Sequence, residues 1–303
     1  MKSYLKKISL FILPLLVFFA VMEMSLRNIP NDFKRKSRYL NVHAKELDIL
    51  ILGSSHSLSF IKPELFEMNT FNAANLHQTL QFDAYIFNKY IEQMSQLKCV
   101  ILPISYGSYF ASLENSKDKW RLKDYNLYYG YKKASLRHNF EVLNGSTSDQ
   151  LNSVLDYYIN GKSFISCTEK GYGIEFANSA QADMEKMGKV AADRHTRDCA
   201  EENIESSMEA IESIIENCQK RNIRVVLYTA PAWHSYREEI DPKIMNRTMA
   251  LTQQLIKKYN NVEYKSYLAD PIFEKDDFRD VDHLNEKGAE KFTELIKKDF
   301  NLK

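Results

Sequence analysis

The chain has 303 residues, 44% of them hydrophobic, enough for one good-sized core or a core with an elaboration. Its 41 Lys and Arg balance 40 Asp and Glu to a net charge of +1, which excludes the global basic field that nucleic-acid binding uses. The 18 Tyr and 17 Phe suit core packing or sugar-facing surfaces alike.

Residues 1–26 are membrane-directed. Lys2, Lys6 and Lys7 precede an uncharged run from Ile8 to Met22 that continues past Glu23 to Leu26, close to the roughly 20 residues needed to span a bilayer. The expectation is an uncleaved single N-terminal anchor, with a cleaved signal peptide as the alternative, because Phe18–Met22 offers no small-x-small site. Arg27, Lys34, Arg35, Lys36 and Arg38 follow the span and oppose export by the positive-inside count; an N-terminal basic-then-apolar segment is nevertheless the usual export signal, and the domain is expected outside. Residues 27–45 read as a basic, polar linker near the membrane surface or a solvated tether.

A domain is expected from 46 to 303. Ile49 to Leu52 has the length and branching of a buried strand and stops at Gly53. Ser54, Ser55, His56 and Ser57 follow. A serine there sits at the carboxyl end of a strand, where open α/β sheets bind ligands, although turn or N-cap serines also occur at such places. Pro63 suits a first helical position. Met68–Phe71 reads as a second strand, ending in the polar loop Asn72–Thr79. Phe82, Ile86, Tyr90, Ile91 and Met94 share a helix face. Cys99–Ile104 is the next buried strand and runs into Ser105.

Residues 110–200 break the alternation and read as an insertion of helices and loops over the carboxyl edge of the sheet, where functional loops collect. Within it, Arg194, His195 and Arg197 form either a solvated charge run or an anion contact. His195 and Cys199 have i,i+4 metal-ligand spacing without a second pair. Cys167 and Cys199 are able to bridge if the domain is outside the cytoplasm, whereas Cys99 and Cys218 read as packing thiols. From Glu202 the pattern is regular: a long helix through Cys218, a strand at Arg224–Thr229, a helix at Met249–Tyr259 and a strand at Val262–Tyr267. Trp233 and His234 fall at a carboxyl edge, Trp233 to stack on a sugar ring or to pack. The alternation of buried strands and helices predicts a parallel sheet of four or five strands covered on both faces.

Near the C-terminus, Asp280-Val281-Asp282-His283 precedes a helix that Asn285 is placed to cap. A serine needs a base, and the base an orienting acid; the i,i+3 spacing favours Asp280 over Asp282 as the acid. The acidic run from Glu274 lacks the Gly and distal Glu of an EF-hand, so no metal is expected.

Ser55 at the end of the first strand, with Asp280-x-x-His283 at the other end of the chain, resembles the SGNH/GDSL hydrolase superfamily. Gly53-Ser54-Ser55-His56 looks like the variant in membrane-anchored members that modify cell-surface polymers, as in alginate O-acetylation and teichoic-acid D-alanylation. The resemblance covers roughly residues 47–300 outside the insertion and implies a flavodoxin-like three-layer α/β/α sandwich. It implies Ser55 as nucleophile, His283 as base and Asp280 as orienting carboxylate. Asn72 matches the family's second-block Asn, and Ala74 stands where a Gly whose N–H lines the oxyanion hole is common; Asn75, His77 and Gln78 are spare donors. The third-block Asn is missing, and Ser105 or a backbone N–H is the expected substitute. Ser54 departs from the family's Asp. The implied activity is acyl (acetyl) transfer to a cell-surface glycan, or ester hydrolysis, without a cofactor, with a multi-span membrane partner delivering the acyl group. The alternative is a catalytically idle glycan- or partner-binding module.

Overall fold

A computed structural model describes residues 2–132, 135–174 and 183–302; the insertion reading therefore extends partly beyond the described residues. In chain order the elements are α1 (Lys2–Asn28), α2 (Asp32–His43), β1 (Ile49–Ile51), α3 (Ser55–Phe60), β2 (Thr70–Asn72), α4 (Leu80–Tyr90), β3 (Cys99–Pro103) and α5 (Leu122–Asp124). Then follow α6 (Thr147–Tyr158), α7 (Met184–Arg197), α8 (Ile204–Gln219), β4 (Arg224–Thr229), α9 (His234–Arg237), α10 (Pro242–Lys258), β5 (Val262–Ser266), β6 (Phe278–Asp280), β7 (His283–Leu284) and α11 (Glu286–Asp299).

The chain forms two compact units: residues 1–37 with 117–166, and residues 38–116 with 167–303. In the first, α1 contains a 19-residue stretch, Leu10–Asn28, of mean hydropathy 2.0, long and apolar enough to cross a membrane. Glu23 on α1 accepts the N–H groups of Glu141 and Val142, and Asp32 accepts that of Ser166. Phe33 meets Tyr125 and Tyr129 edge to face.

The second unit holds a five-stranded, wholly parallel sheet in the order β2-β1-β3-β4-β5, the flavodoxin-like order. Its strands are buried on both faces because successive side chains alternate. Ile49, Ile51, Cys99, Ile101, Val226 and Tyr228 share one core with Phe292 and Ile296 of α11 and Met184, Ala191 and Ala192 of α7. Leu50, Val100, Leu102, Val225 and Leu227 are equally buried toward the opposite layer. The topology reverses at β1, which pairs with β2 on one side and β3 on the other; the crevice at their carboxyl ends is where such sheets place ligands.

Two readings change. The expected linker at 27–45 holds helix α2, whose buried face carries Phe33 and Leu40 together with Lys36 and Ser37, while Arg38 and Val42 are exposed. The expected insertion at 110–200 does not act as one block. Only 117–166 separates from the sheet unit, while 167–174 runs along it: the Asn72 N–H donates to Lys170 O, and the Gly173 N–H donates to Leu58 O. The four cysteines are free, and no Cys167–Cys199 bridge is present.

Candidate active site

Gly53 makes the turn out of β1 at φ +116°, a conformation side chains rarely adopt. A Cβ there would lie 2.3 Å from the Pro103 ring. The carboxylate of Asp83 on α4 accepts the Gly53 N–H at 2.7 Å and the Gln78 amide at 2.7 Å. Burial pushes the Asp83 carboxyl up to about 7, against the pull of those two bonds. The turn held this way delivers Ser55 to the first position of α3.

A hairpin absent from the strand pattern of the sequence supplies the other partners. β6 and β7 are antiparallel, and Asp280 is paired with His283 across a two-residue loop, Val281-Asp282. The i,i+3 spacing is thus the spacing of a tight hairpin rather than of a helix. The Trp233 N–H donates to Val281 O at 2.8 Å and holds the tip. Behind it, Asn285 caps α11 by accepting the Gly288 N–H at 3.0 Å, and a Cβ on Gly288 would meet Asp277 O at 2.1 Å.

His283 Nε2 lies 2.9 Å from Ser55 Oγ, and His283 Nδ1 lies 2.9 Å from Asp280 Oδ1. In the neutral ring with the proton on Nδ1, that N–H donates to Asp280 and the serine O–H donates to Nε2. Arg279 holds the other Asp280 oxygen at 2.8 Å. Burial alone would lower the His283 pKa; the charge of Asp282 and the bond to Asp280 override it and raise the imidazole to about 9. Asp280 is held below its ordinary value, its burial outweighed by His283.

The other expected site residues behave differently. Asn72 is buried and turns away: its amide donates to Ser57 O at 2.7 Å and Ile61 O at 3.2 Å, and its Oδ1 accepts the Ala74 N–H. Asn75 donates to Ala73 O and Gln78 Oε1. The oxyanion donors expected from Asn72, Ala74 and Asn75 are therefore spent on the scaffold, because buried polar groups must be paired. Ser105 reaches the site, but its hydroxyl is engaged with His56 Nδ1 at 2.7 Å and its N–H with Ser108 Oγ at 2.8 Å. The Ser55 N–H has no hydrogen-bond partner among the described residues and remains for a developing oxyanion. Trp233 is half-buried, packs at 5.7 Å against Phe278 and donates its indole N–H to Glu185. His234 sits among Glu185 and Glu238 at the surface.

Sequence reasoning gave His56 no role and left His195 in a charge run. Both point Nε2 at one buried carboxylate oxygen, Asp282 Oδ2, at 3.8 and 3.6 Å. His195 Nδ1 also meets the Tyr236 hydroxyl at 2.8 Å. Burial pulls His195 down to about 4 against the attraction of Asp282. His195 and Cys199 do not form a ligand pair; the thiol contacts the His195 carbonyl. His56, Asp282 and His283 place possible ligand atoms within 4.8 Å of one another, yet both His283 nitrogens are committed to Ser55 and Asp280.

No protein-family profile matches the chain, and no curated protein matches it. Among solved structures it is similar to one described as a "putative platelet activating factor" from Streptococcus pneumonia, 12% identical over 96% of this chain and 98% of that one, TM-score 0.43. It is also similar to a GDSL-like lipase from Bacteroides thetaiotaomicron, 13% identical over 89% and 98%, TM-score 0.43. A third is an acylhydrolase, itself so described provisionally, from Bacteroides fragilis, 12% identical over 87% and 94%, TM-score 0.41. The parallel sheet in the order β2-β1-β3-β4-β5 is the fold that the SGNH/GDSL resemblance of the sequence implies.

Proposed function

We propose that the chain is an SGNH-type serine hydrolase or acyltransferase working through an acyl-Ser55 intermediate. The observation that carries this reading is the unbroken string Ser55 Oγ, His283, Asp280, both links at 2.9 Å. Ser55 Oγ attacks an acyl carbonyl while His283 Nε2 takes its proton. The tetrahedral intermediate collapses, the C–O bond to the donor's leaving group breaks, and His283 returns the proton to that group. An incoming hydroxyl, of water or of a sugar, then gives its proton to His283 and attacks the acyl-serine; collapse frees Ser55 with its proton. With no side-chain donor free in the 72–75 loop, turnover should be slow, since one missing oxyanion contact typically costs about 100- to 1,000-fold. A 19-residue apolar stretch near the N-terminus supports a membrane-directed chain, and the reading places its domain outside the cytoplasm. That setting supports transfer to a cell-surface glycan, with a multi-span membrane partner supplying the acyl group.

The spent donors of the 72–75 loop favour a second reading, a non-catalytic glycan- or partner-binding module. Full-length protein in detergent, treated with a fluorophosphonate or an activated acetyl ester, separates the two by intact mass. One adduct lost in Ser55→Ala and His283→Ala supports the enzyme; a folded protein without an adduct sinks it.

A further inference from the structure

The hairpin tip carries a second carboxylate that the triad does not use. Asp282 is 3% exposed, and its Oδ2 is a buried oxygen with no hydrogen-bond partner among the described residues. Its Oδ1 lies 3.4 Å from His283 Nδ1, the same nitrogen that donates to Asp280. Its backbone N–H donates to Asp280 Oδ1 at 3.2 Å, which fixes the two carboxylates relative to one another. An ionised carboxylate is costly to bury unless positive charge accompanies it.

We propose that Asp282 is a second positioning carboxylate for the acyl-transfer imidazole: Asp280 fixes the ring's orientation, and Asp282 stabilises the positive charge the ring acquires. The inference rests on the hydrolase reading for its purpose, but the charge pairing itself does not require turnover. Every element packed around the tip supplies a group to it. His56 comes from α3, His195 with neighbouring Arg194 from α7, Tyr236 from α9, and Arg279, Asp280 and His283 from the hairpin; Tyr106 and Cys199 lie beside Tyr236. Of these, His56 and His195 are held from behind, by Ser105 and by Tyr236, with their Nε2 atoms toward Oδ2. They face one oxygen of Asp282 from 3.8 and 3.6 Å, beyond hydrogen-bond distance, while its other oxygen faces His283. Asp282 stays well below the ordinary carboxylate range despite its burial, through His283 first and then His56 and His195.

An anion beside an imidazole favours the imidazolium, so the base form of His283 accumulates only toward alkaline pH. Removing that anion must move the titration to lower pH. The test is the NMR titration of His283 in the full-length protein, assigned with His283→Gln, in wild type and Asp282→Asn, with the pH profile of fluorophosphonate labelling measured on the same samples. The expected result is a wild-type midpoint above neutrality and a fall of about one to three units in Asp282→Asn. The rising limb of labelling should follow, and the high-pH plateau should stay within about tenfold. A merely structural role would lower labelling at every pH without moving the limb, and would overturn the proposal. If Asp282→Asn fails to fold, Asp282→Ser carries the comparison. A wild-type midpoint at the ordinary value of about 6.5 overturns it without any variant. A shifted midpoint in protein that never labels would remove the hydrolase reading and leave the charge pairing standing; labelling without a shift would do the reverse.

Discussion

Two loops approach the Gly53–Ser55 turn at the carboxyl edge of the sheet, and they spend their polar groups in opposite ways. The hairpin 278–284 directs Asp280 and His283 outward to Ser55. The 72–79 loop, just as polar, directs Asn72, Asn75 and Gln78 inward, to the carbonyls of Ser57, Ile61 and Ala73 and to Asp83. One loop aims its polar groups at Ser55 and the other spends them on the scaffold around the Gly53 turn. Polarity alone does not distinguish them; the identity of each hydrogen-bond partner does.

The sharpest way to break the comparison is Asp280→Asn. If the hairpin carries the chemistry, labelling of Ser55 falls about 10⁴-fold while the melting temperature barely moves, as expected when an imidazole loses its orienting acceptor. A loss below tenfold would show that Asp282 or another group orients the ring. Gly53→Ala tests the scaffold: a Cβ 2.3 Å from the Pro103 ring at φ +116° should cost several kcal/mol, about 3 or more, measurable by urea unfolding.

Asp83 gives a pH-dependent version. Its folded-state pKa, about 7, lies above the unfolded value of 3.8, so the folded state binds the proton more tightly. That contribution is fully present below the unfolded value and is lost as pH rises through about 7. It amounts to about 4 kcal/mol between the extremes, at 1.36 kcal/mol per unit. Asp83→Asn, which keeps an acceptor for the Gly53 N–H, should flatten the dependence and raise stability at pH 8. Urea midpoints at pH 5 and 8 that fall in parallel for both proteins would refute this. The mildest effect is expected for Asn72→Ala: about 2–3 kcal/mol of stability lost, with the labelling rate of the folded fraction within about threefold. A 100-fold loss of rate at unchanged stability would instead restore the loop to the oxyanion hole.

That Ser55, His283 and Asp280 come together was legible because the signals are local. Four apolar residues ending at Gly53 mark a strand end, and Asp280 and His283 lie close enough in sequence that any tight turn brings them together. What escaped were relationships that only the tertiary fold creates. His195 enters the site on α7, far from either motif, and nothing local separates it from its charged neighbours Arg194 and Arg197. The direction of the Asn72 amide depends on where α3 packs. Asp83 belongs to the same helix face count as Phe82 and Ile86 until β1 supplies the Gly53 N–H that engages it. In α2, the run of Lys and Arg masked the buried face of Phe33, Lys36, Ser37 and Leu40, and a helix read as a basic linker or tether.

The Gly53–Ser54 pair has a consequence for how this sequence can drift. Ser54 opens α3 without a side-chain capping bond and is only partly buried, so its hydroxyl is not tied to the turn. A saturation library across residues 53–55 should therefore return almost nothing but Gly at the first position and a broad spectrum at the second. The second letter of the motif is free to vary among descendants, and a search that insisted on it would pass over them, whereas the first is fixed by the Pro103 ring.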